Sequence, residues 1–94
     1  MTPPTLLNAK WEMHEFFTVC RIRKPGRPYS IALVFHMHRD GTYKVSDHTG
    51  LVGWKEYDGL DLFTAQAVVD HIWQGAMTPR RVRFWRWLKN YFAR

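Results

Sequence analysis

Residues 29–45 read YSIALVFHMHRDGTYKV, and this stretch decides the fold. Side chains alternate from Tyr29 to His38 with a period of two residues, which is the period of a β-strand. Asp40-Gly41 then supplies a strong hairpin signal before a second strand. One face of the first strand carries Tyr29, Ile31, Leu33, Phe35 and Met37. The opposite face carries Ser30, Ala32, Val34, His36 and His38.

The length of the hairpin loop sets the register, and two lengths compete. A two-residue loop mixes polar and apolar side chains on each face of the hairpin. A three-residue loop, Arg39–Gly41, pairs Met37 with Tyr43 and Phe35 with Val45, provided that its glycine is left-handed. Because a slip of one residue turns every side chain to the other face, we predict the three-residue loop.

The flanking segments predict an α+β fold, a small antiparallel β-meander of three to four strands followed by two helices packed on one face. Trp11 to Lys24 is rich in aromatic and β-branched residues and predicts a strand, with a turn at Pro25-Gly26. Ninety-four residues are expected to form a single domain. The predicted segments are a flexible arm (1–9), the meander (10–57), a first helix (61–75) and a basic amphipathic C-terminal helix (78–93).

The first helix has recognisable start and stop signals. Asp61 or Thr64 is expected to cap its N-terminus, and Gly75 is expected to end it in the left-handed conformation. Thr78-Pro79 then has the pattern of an N-cap followed by the first residue of a helix.

The last fifteen residues carry all of the net charge. The chain holds 14 Lys and Arg against 8 Asp and Glu, a net charge of +6. Residues 1–79 contain eight basic and eight acidic residues, whereas residues 80–94 contain six basic residues and no acid. On a helix, the aromatic residues of this segment fall within an arc of roughly 160° and the basic residues lie opposite.

An all-basic face beside an aromatic face predicts an anionic partner. Nucleic acid, or a nucleoprotein complex, is the leading partner, since arginine binds phosphate and exposed aromatic rings stack on bases. The predicted contacts are Arg80, Arg81, Arg83, Arg86, Lys89, Arg94, Trp85, Trp87 and Tyr91. A second interpretation is that the aromatic side packs on the meander as core and the arginines form a solvated face.

A protein partner is the alternative function. Trp, Tyr and Arg dominate interface hot spots, so the same helix could serve a protein-binding inhibitor or adaptor that engages an acidic or nucleic-acid-binding protein. A membrane surface is the least favoured partner, because it would require the aromatic side of the helix to leave the sheet uncovered.

The predicted sheet carries secondary candidates. His36, His38 and Lys44 are expected on one solvated face, where they could contact nucleic acid. A His-x-His pair is also a possible metal pair, with His14 or His48 as a third ligand, but such pairs are more often plain polar positions. We predict no metal site and no cofactor.

The sequence predicts a protein that is not an enzyme. It has no nucleophile-elbow, phosphate-loop, dinucleotide or zinc-protease motif. Cys20, the only cysteine, lies within a predicted strand, where a small buried side chain is the common role. The lone thiol, and an N-terminus that does not match a signal peptide, predict a cytoplasmic location.

Two general resemblances accompany these patterns. A meander followed by Phe63-Thr-Ala-Gln-Ala67 and an amphipathic helix resembles the three-stranded-sheet DNA-binding modules of the integrase-arm type. The small size, lone thiol and many aromatic residues are similar to those of small regulators carried by phages and mobile elements, including counter-defence inhibitors.

Overall fold

Five antiparallel strands and one α-helix make up the part of the chain that the computed structural model describes, residues 2–50 and 53–78. The elements are β1 (Trp11–Met13), β2 (Phe17–Arg23), β3 (Ser30–Met37), β4 (Tyr43–Asp47), β5 (Lys55–Leu60) and α1 (Leu62–Met77). Each strand pairs with the next in one sheet of order β1-β2-β3-β4-β5. The predicted α+β class and antiparallel meander are confirmed.

The prediction of three to four strands is wrong, because the structure has five. The segment from Trp11 to Lys24 forms two strands, which turn back on each other between Met13 and Phe17. This turn contains neither glycine nor proline, so its sequence lacks the usual turn signal. The fifth strand extends the meander to Leu60, three residues past the predicted end.

The β3–β4 connection is one residue longer than predicted. Gly41 is left-handed, with φ +71°, as expected. However, the Met37 N–H donates to the Thr42 carbonyl and the Gly41 N–H donates to the Met37 carbonyl, both at 2.9 Å. His36 therefore lies opposite Tyr43, a position that the prediction assigned to Met37.

This shift of one residue changes which face of β3 becomes the core. Val34 pairs with Val45 and with Cys20 of β2, and all three are buried. The face of the sheet that they share packs against α1, which buries residues such as Val69 and Trp73 on it. We call this the helix-covered face. Ile31 also belongs to this core, because an irregularity in the β2–β3 register interrupts the alternation beside it, whereas Leu33, Phe35 and Met37 lie on the other side.

That other side is the second face of the sheet, defined by Phe17, Val19, Leu33, Phe35 and Met37. Cross-strand pairing joins Phe17 to Met37, Val19 to Phe35 and Leu33 to Arg21. The rings of Phe17 and Phe35 meet edge to face, with centroids 5.2 Å apart. β3 is therefore apolar on both faces, which is why its alternation did not identify the core.

The first helix is slightly longer than predicted. Asp61 is its N-cap, and its carboxylate accepts the Thr64 N–H at 2.7 Å, as predicted. The helix continues through Gly75 to Met77 and is capped by Thr78, so Gly75 does not end it. The predicted helix over 78–93 lies outside the described residues beyond Thr78. No helix of the described residues is long and apolar enough to cross a membrane.

The N-terminal segment is docked on the domain, which corrects the prediction of a flexible arm over residues 1–9. Leu6 is 1% exposed and belongs to the core under α1. The Gln66 side chain holds the segment at two points: its oxygen accepts the Leu6 N–H at 2.8 Å, and its nitrogen donates to the Pro4 carbonyl at 3.0 Å. The Trp11 indole N–H donates to the Leu6 carbonyl at 2.9 Å.

Leu6 and Leu7 provide a matched test of this docking. Leu6→Ala empties a buried position, so we expect the free energy of unfolding to fall by about 2–5 kcal/mol. Leu7 is 75% exposed, and Leu7→Ala should change stability by less than about 0.5 kcal/mol. Urea denaturation measures both values. Equal, small effects would show that the segment does not dock.

Candidate functional site

The principal residues predicted to bind a partner lie outside the described part of the chain. They are Arg80, Arg81, Arg83, Arg86, Lys89, Arg94, Trp85, Trp87 and Tyr91. Their role stays a prediction. The described residues nevertheless contain the secondary candidates and several charged and aromatic groups that can be placed on the fold.

The secondary candidates do not all share one face. The position of Lys44 corrects the prediction, whereas the rings of His36 and His38 are neighbours, with centroids 6.5 Å apart. His36 lies on the helix-covered face and stacks on Tyr43, with ring centroids 4.4 Å apart. His38 lies in the β3–β4 connection, where its ring bonds to the Thr18 hydroxyl at 2.8 Å. Lys44 points to the second face and pairs with Glu56 at 3.1 Å. The register shift separates Lys44 from the histidines.

The histidines also do not assemble a metal site. Within residues 2–50 and 53–78, no three His, Cys, Asp or Glu side chains are grouped so that they could hold a metal ion. His48 follows β4 at the opposite end of the sheet from His38, and His14 stacks on Phe17 at 5.0 Å. Neither His14 nor His48 is therefore placed as a third ligand beside His36 and His38.

The meander separates charge between the two ends of the sheet. Connections β2–β3 and β4–β5 lie at one end, together with the start of β1. This end, which we call the basic end, collects five cationic side chains: Lys10, Arg23, Lys24, Arg27 and Lys55. Asp47 and Glu56 are acidic residues at this end of the described sheet: the Asp47 carboxylate accepts the N–H and hydroxyl of Thr49, and Glu56 pairs with Lys44.

The other end is acidic. It contains the turns after β1 and β3 and the junction of β5 with α1, and it carries Glu15, Asp40, Asp58 and Asp61 together with Arg39 and Lys44. Hydrogen bonds from the Thr42 hydroxyl and N–H lower the pKa of Asp40. A hydrogen bond from the Thr64 N–H lowers the pKa of Asp61. Both carboxylates therefore keep their charge well below neutral pH.

Cations of the basic end extend into a groove beside β1 and β2. The groove encloses about 580 Å³ and is lined by Lys10, Trp11, Glu12, Val19, Arg21 and Arg23. Arg21 makes an ion pair with Glu12 at 3.6 Å. In contrast, Lys10 and Arg23 make no ion pair with another described residue, and the same is true of the turn residues Lys24 and Arg27.

The turn between β2 and β3 presents its cations on a defined backbone. The Arg27 N–H donates to the Lys24 carbonyl at 3.0 Å, and Gly26 supplies the positive φ of +75° that the predicted Pro25-Gly26 turn requires. Arg27 is exposed, and Tyr29 follows it with 54% of its surface exposed. A cation and an aromatic ring therefore occur together in this turn.

A second exposed aromatic residue lies in the β4–β5 connection. Trp54 is 69% exposed, and its ring stacks on His48 with centroids 4.1 Å apart and planes inclined by 24°. The His48 ring bonds in turn to the hydroxyl of Ser46 at 2.9 Å, and Ser46 is buried. The basic end thus combines cations that have no ion-pair partner among the described residues with two accessible aromatic rings.

Cys20 has the structural role that its position in a strand suggested. It is buried on the helix-covered face, and burial raises the pKa of its thiol because the thiolate would lose its hydration. A raised pKa and lack of access both oppose a nucleophilic role.

No family model, curated protein or solved structure matches this chain. Its function therefore has to be inferred from the chemistry of its own residues.

Sequence reasoning missed the basic end, although part of its signal was present. Residues 21–27, RIRKPGR, contain four basic residues and no acid. Lys10, Trp54 and Lys55 are distant in sequence, and the folding of the meander brings them to the same end. No local pattern connects them.

Cys20 offers a test of the buried site. A thiol reagent should label native protein at least about a hundredfold more slowly than protein unfolded in urea, because the thiol is buried and protonated. The absorbance of the released thiol-reagent product measures the rate at pH 8. Equal rates in the two states would contradict the placement of Cys20 in the core.

Proposed function

We propose that this protein is a non-enzymatic nucleic-acid-binding domain whose basic end contacts the phosphate backbone. The observation that carries the proposal is the gathering of Lys10, Arg23, Lys24 and Arg27 at one end of the sheet without ion-pair partners among the described residues. Holding like charges together costs free energy unless an anion offsets their repulsion. A polyanion offers several phosphates at once.

The shape of the basic end favours a chain of phosphates over a single small anion. Its cations are distributed between the β2–β3 turn, the start of β1 and the groove along β1 and β2. A small anion is usually held by converging donors in an enclosed site. Here the donors are exposed and spread across a surface, as in proteins that follow a nucleic-acid backbone.

The C-terminal sequence is consistent with the same ligand. Residues 80–94 add six basic residues and no acid. Their contacts, and the cytoplasmic location that the sequence suggests, stay predictions. The proposal for the basic end is independent of them, because it rests on residues 10–55.

A matched pair of charge reversals tests where the nucleic acid binds. Arg27→Glu and Arg39→Glu alter net charge equally, and both residues are exposed in turns, but they lie at opposite ends of β3, roughly 25 Å apart. At physiological ionic strength, charges so far apart are screened. We expect Arg27→Glu to weaken binding of a mixed oligonucleotide pool roughly 3- to 10-fold, and Arg39→Glu less than about twofold.

Fluorescence anisotropy over a series of salt concentrations measures both effects. The Arg27 variant should also lower the slope of log affinity against log salt by about one, because one phosphate contact is lost. Equal weakening by the two variants would show that net charge alone matters and would overturn the assignment to the basic end. Absence of binding by the unaltered chain would overturn the function itself.

A protein-binding inhibitor or adaptor is the second candidate, and a different surface favours it. At the acidic end, a cavity of about 220 Å³ is lined by residues of the helix-covered face and the N-terminal segment, including Leu7, Thr18, His36 and Leu62. Leu7 is exposed beside it, and Phe63, which follows Leu62, is 85% exposed. Exposed apolar groups around a cavity are typical of protein contacts.

Phe63→Ser distinguishes the two candidates. If nucleic acid is the ligand, this variant should bind the oligonucleotide pool within about twofold of the unaltered chain, because Phe63 lies at the far end of the sheet. If a purified protein partner is the ligand, loss of a hot-spot side chain should weaken that complex more than about fivefold. Isothermal titration calorimetry measures both complexes.

A further inference from the structure

We infer that the basic end selects single-stranded nucleic acid and stacks an unpaired base on the exposed ring of Trp54. This inference deepens the proposed function and rests on it, because the cations of the basic end supply affinity for any phosphate backbone. The selection would come from the aromatic ring, and the structure shows that this ring is held in place.

Two successive contacts brace Trp54. Its indole lies against the His48 imidazole at 4.1 Å between centroids, nearly parallel to it. The imidazole is bonded to the hydroxyl of Ser46, which is 3% exposed within β4. The backbone of His48 is also tied to the sheet, since its N–H donates to the Ile31 carbonyl at 2.9 Å.

The brace leaves most of the indole accessible. His48 lies against one face of the ring, yet 69% of the Trp54 surface is exposed. An exposed tryptophan normally loses side-chain freedom when it binds a ligand. A ring that is already stacked on a fixed imidazole loses less side-chain freedom. Its other face can therefore stack on a base at a lower entropic cost.

Two cations, Lys55 and Arg27, lie at the same end of the sheet as this ring. Lys55 follows Trp54 directly, and its ammonium group lies 5.3 Å from the centre of the Tyr57 ring. The hydrogen bond between His48 and Ile31 brings the loop next to the start of β3, where Tyr29 is exposed two residues earlier. Arg27 lies in the same turn. A strand whose phosphates contact these cations would bring its bases close to two aromatic rings.

Stacking on a protein ring requires a base that is not already stacked in a helix. In a duplex the base faces are covered by neighbouring base pairs, and only their edges are accessible in the grooves. Single strands expose the faces, and aromatic side chains bind them with little dependence on sequence. Trp54 therefore should add affinity for single strands and none for duplexes.

Variants at Trp54 test this selection against matched controls. We compare a single-stranded oligonucleotide of about 15 nucleotides with the blunt duplex of the same sequence, using Trp54→Ala, Trp54→Phe and Phe63→Ala. Phe63 is the aromatic control because it is exposed at the acidic end. Trp54→Ala should weaken single-strand binding about 5- to 150-fold, the range found for loss of one base–aromatic stack.

The remaining affinities should follow a specific pattern. Duplex binding by Trp54→Ala should stay within about twofold of the unaltered chain, and Trp54→Phe should retain most single-strand binding because it keeps a flat ring. Phe63→Ala should leave both affinities unchanged. Binding of the single strand should quench tryptophan fluorescence, and Trp54→Ala should lose most of the quenching. Thermal melts confirm that each variant is folded.

The results separate this inference from the proposed function. The stacking role is wrong if Trp54→Ala weakens single-strand and duplex binding equally, and it is also wrong if Trp54→Ala weakens neither. In both cases the proposal of nucleic-acid binding stands. The same conclusion follows if the unaltered chain binds both forms equally. If the unaltered chain binds neither form, the proposed function fails and this inference fails with it.

Discussion

The register between β3 and β4 is the constraint on which the rest of the structure depends. Two backbone hydrogen bonds link Met37 to Thr42 and Gly41, and Gly41 supplies the left-handed residue that closes the connection. Because side chains alternate, this register brings Val34 and Val45 together beneath α1 and turns Lys44 to the second face. A connection shorter by one residue would pair Val45 with Phe35 and give the helix a different surface to cover.

The same meander explains how an electrically neutral stretch of chain acquires two unlike ends. Successive connections alternate between the ends of an antiparallel sheet. The turn over 24–27 therefore lies at the same end as the start of β1 and the connection before Lys55, whereas Asp40, Asp58 and Asp61 lie at the other end. Net charge, which is zero over residues 1–79, conceals this separation. The described part of the sheet is therefore basic at one end and acidic at the other.

The basic end unites two kinds of group with different tasks in the proposed function. Exposed cations such as Arg23 and Arg27 suit any phosphate backbone, and their contribution should weaken with salt. The Trp54 ring, braced by His48 and Ser46, suits a base face and should be far less sensitive to salt. In this proposal, affinity for the phosphate backbone and selection of single strands over duplexes depend on separate residues. Charge reversals and aromatic variants can therefore be interpreted independently.

The sequence by itself determined the features that depend on neighbouring residues. The alternation of β3, the left-handed Gly41, the turn at Gly26 and the Asp61 cap are local, since each is stabilised by contacts within a few positions. Only the tertiary structure decided the core face of β3, because both of its faces are apolar and the choice depends on pairing with β4 and packing under α1. It likewise decided that Leu6 is core and that Lys10, Arg27 and Trp54 share one end. Contacts between segments that are distant in sequence set all of these positions.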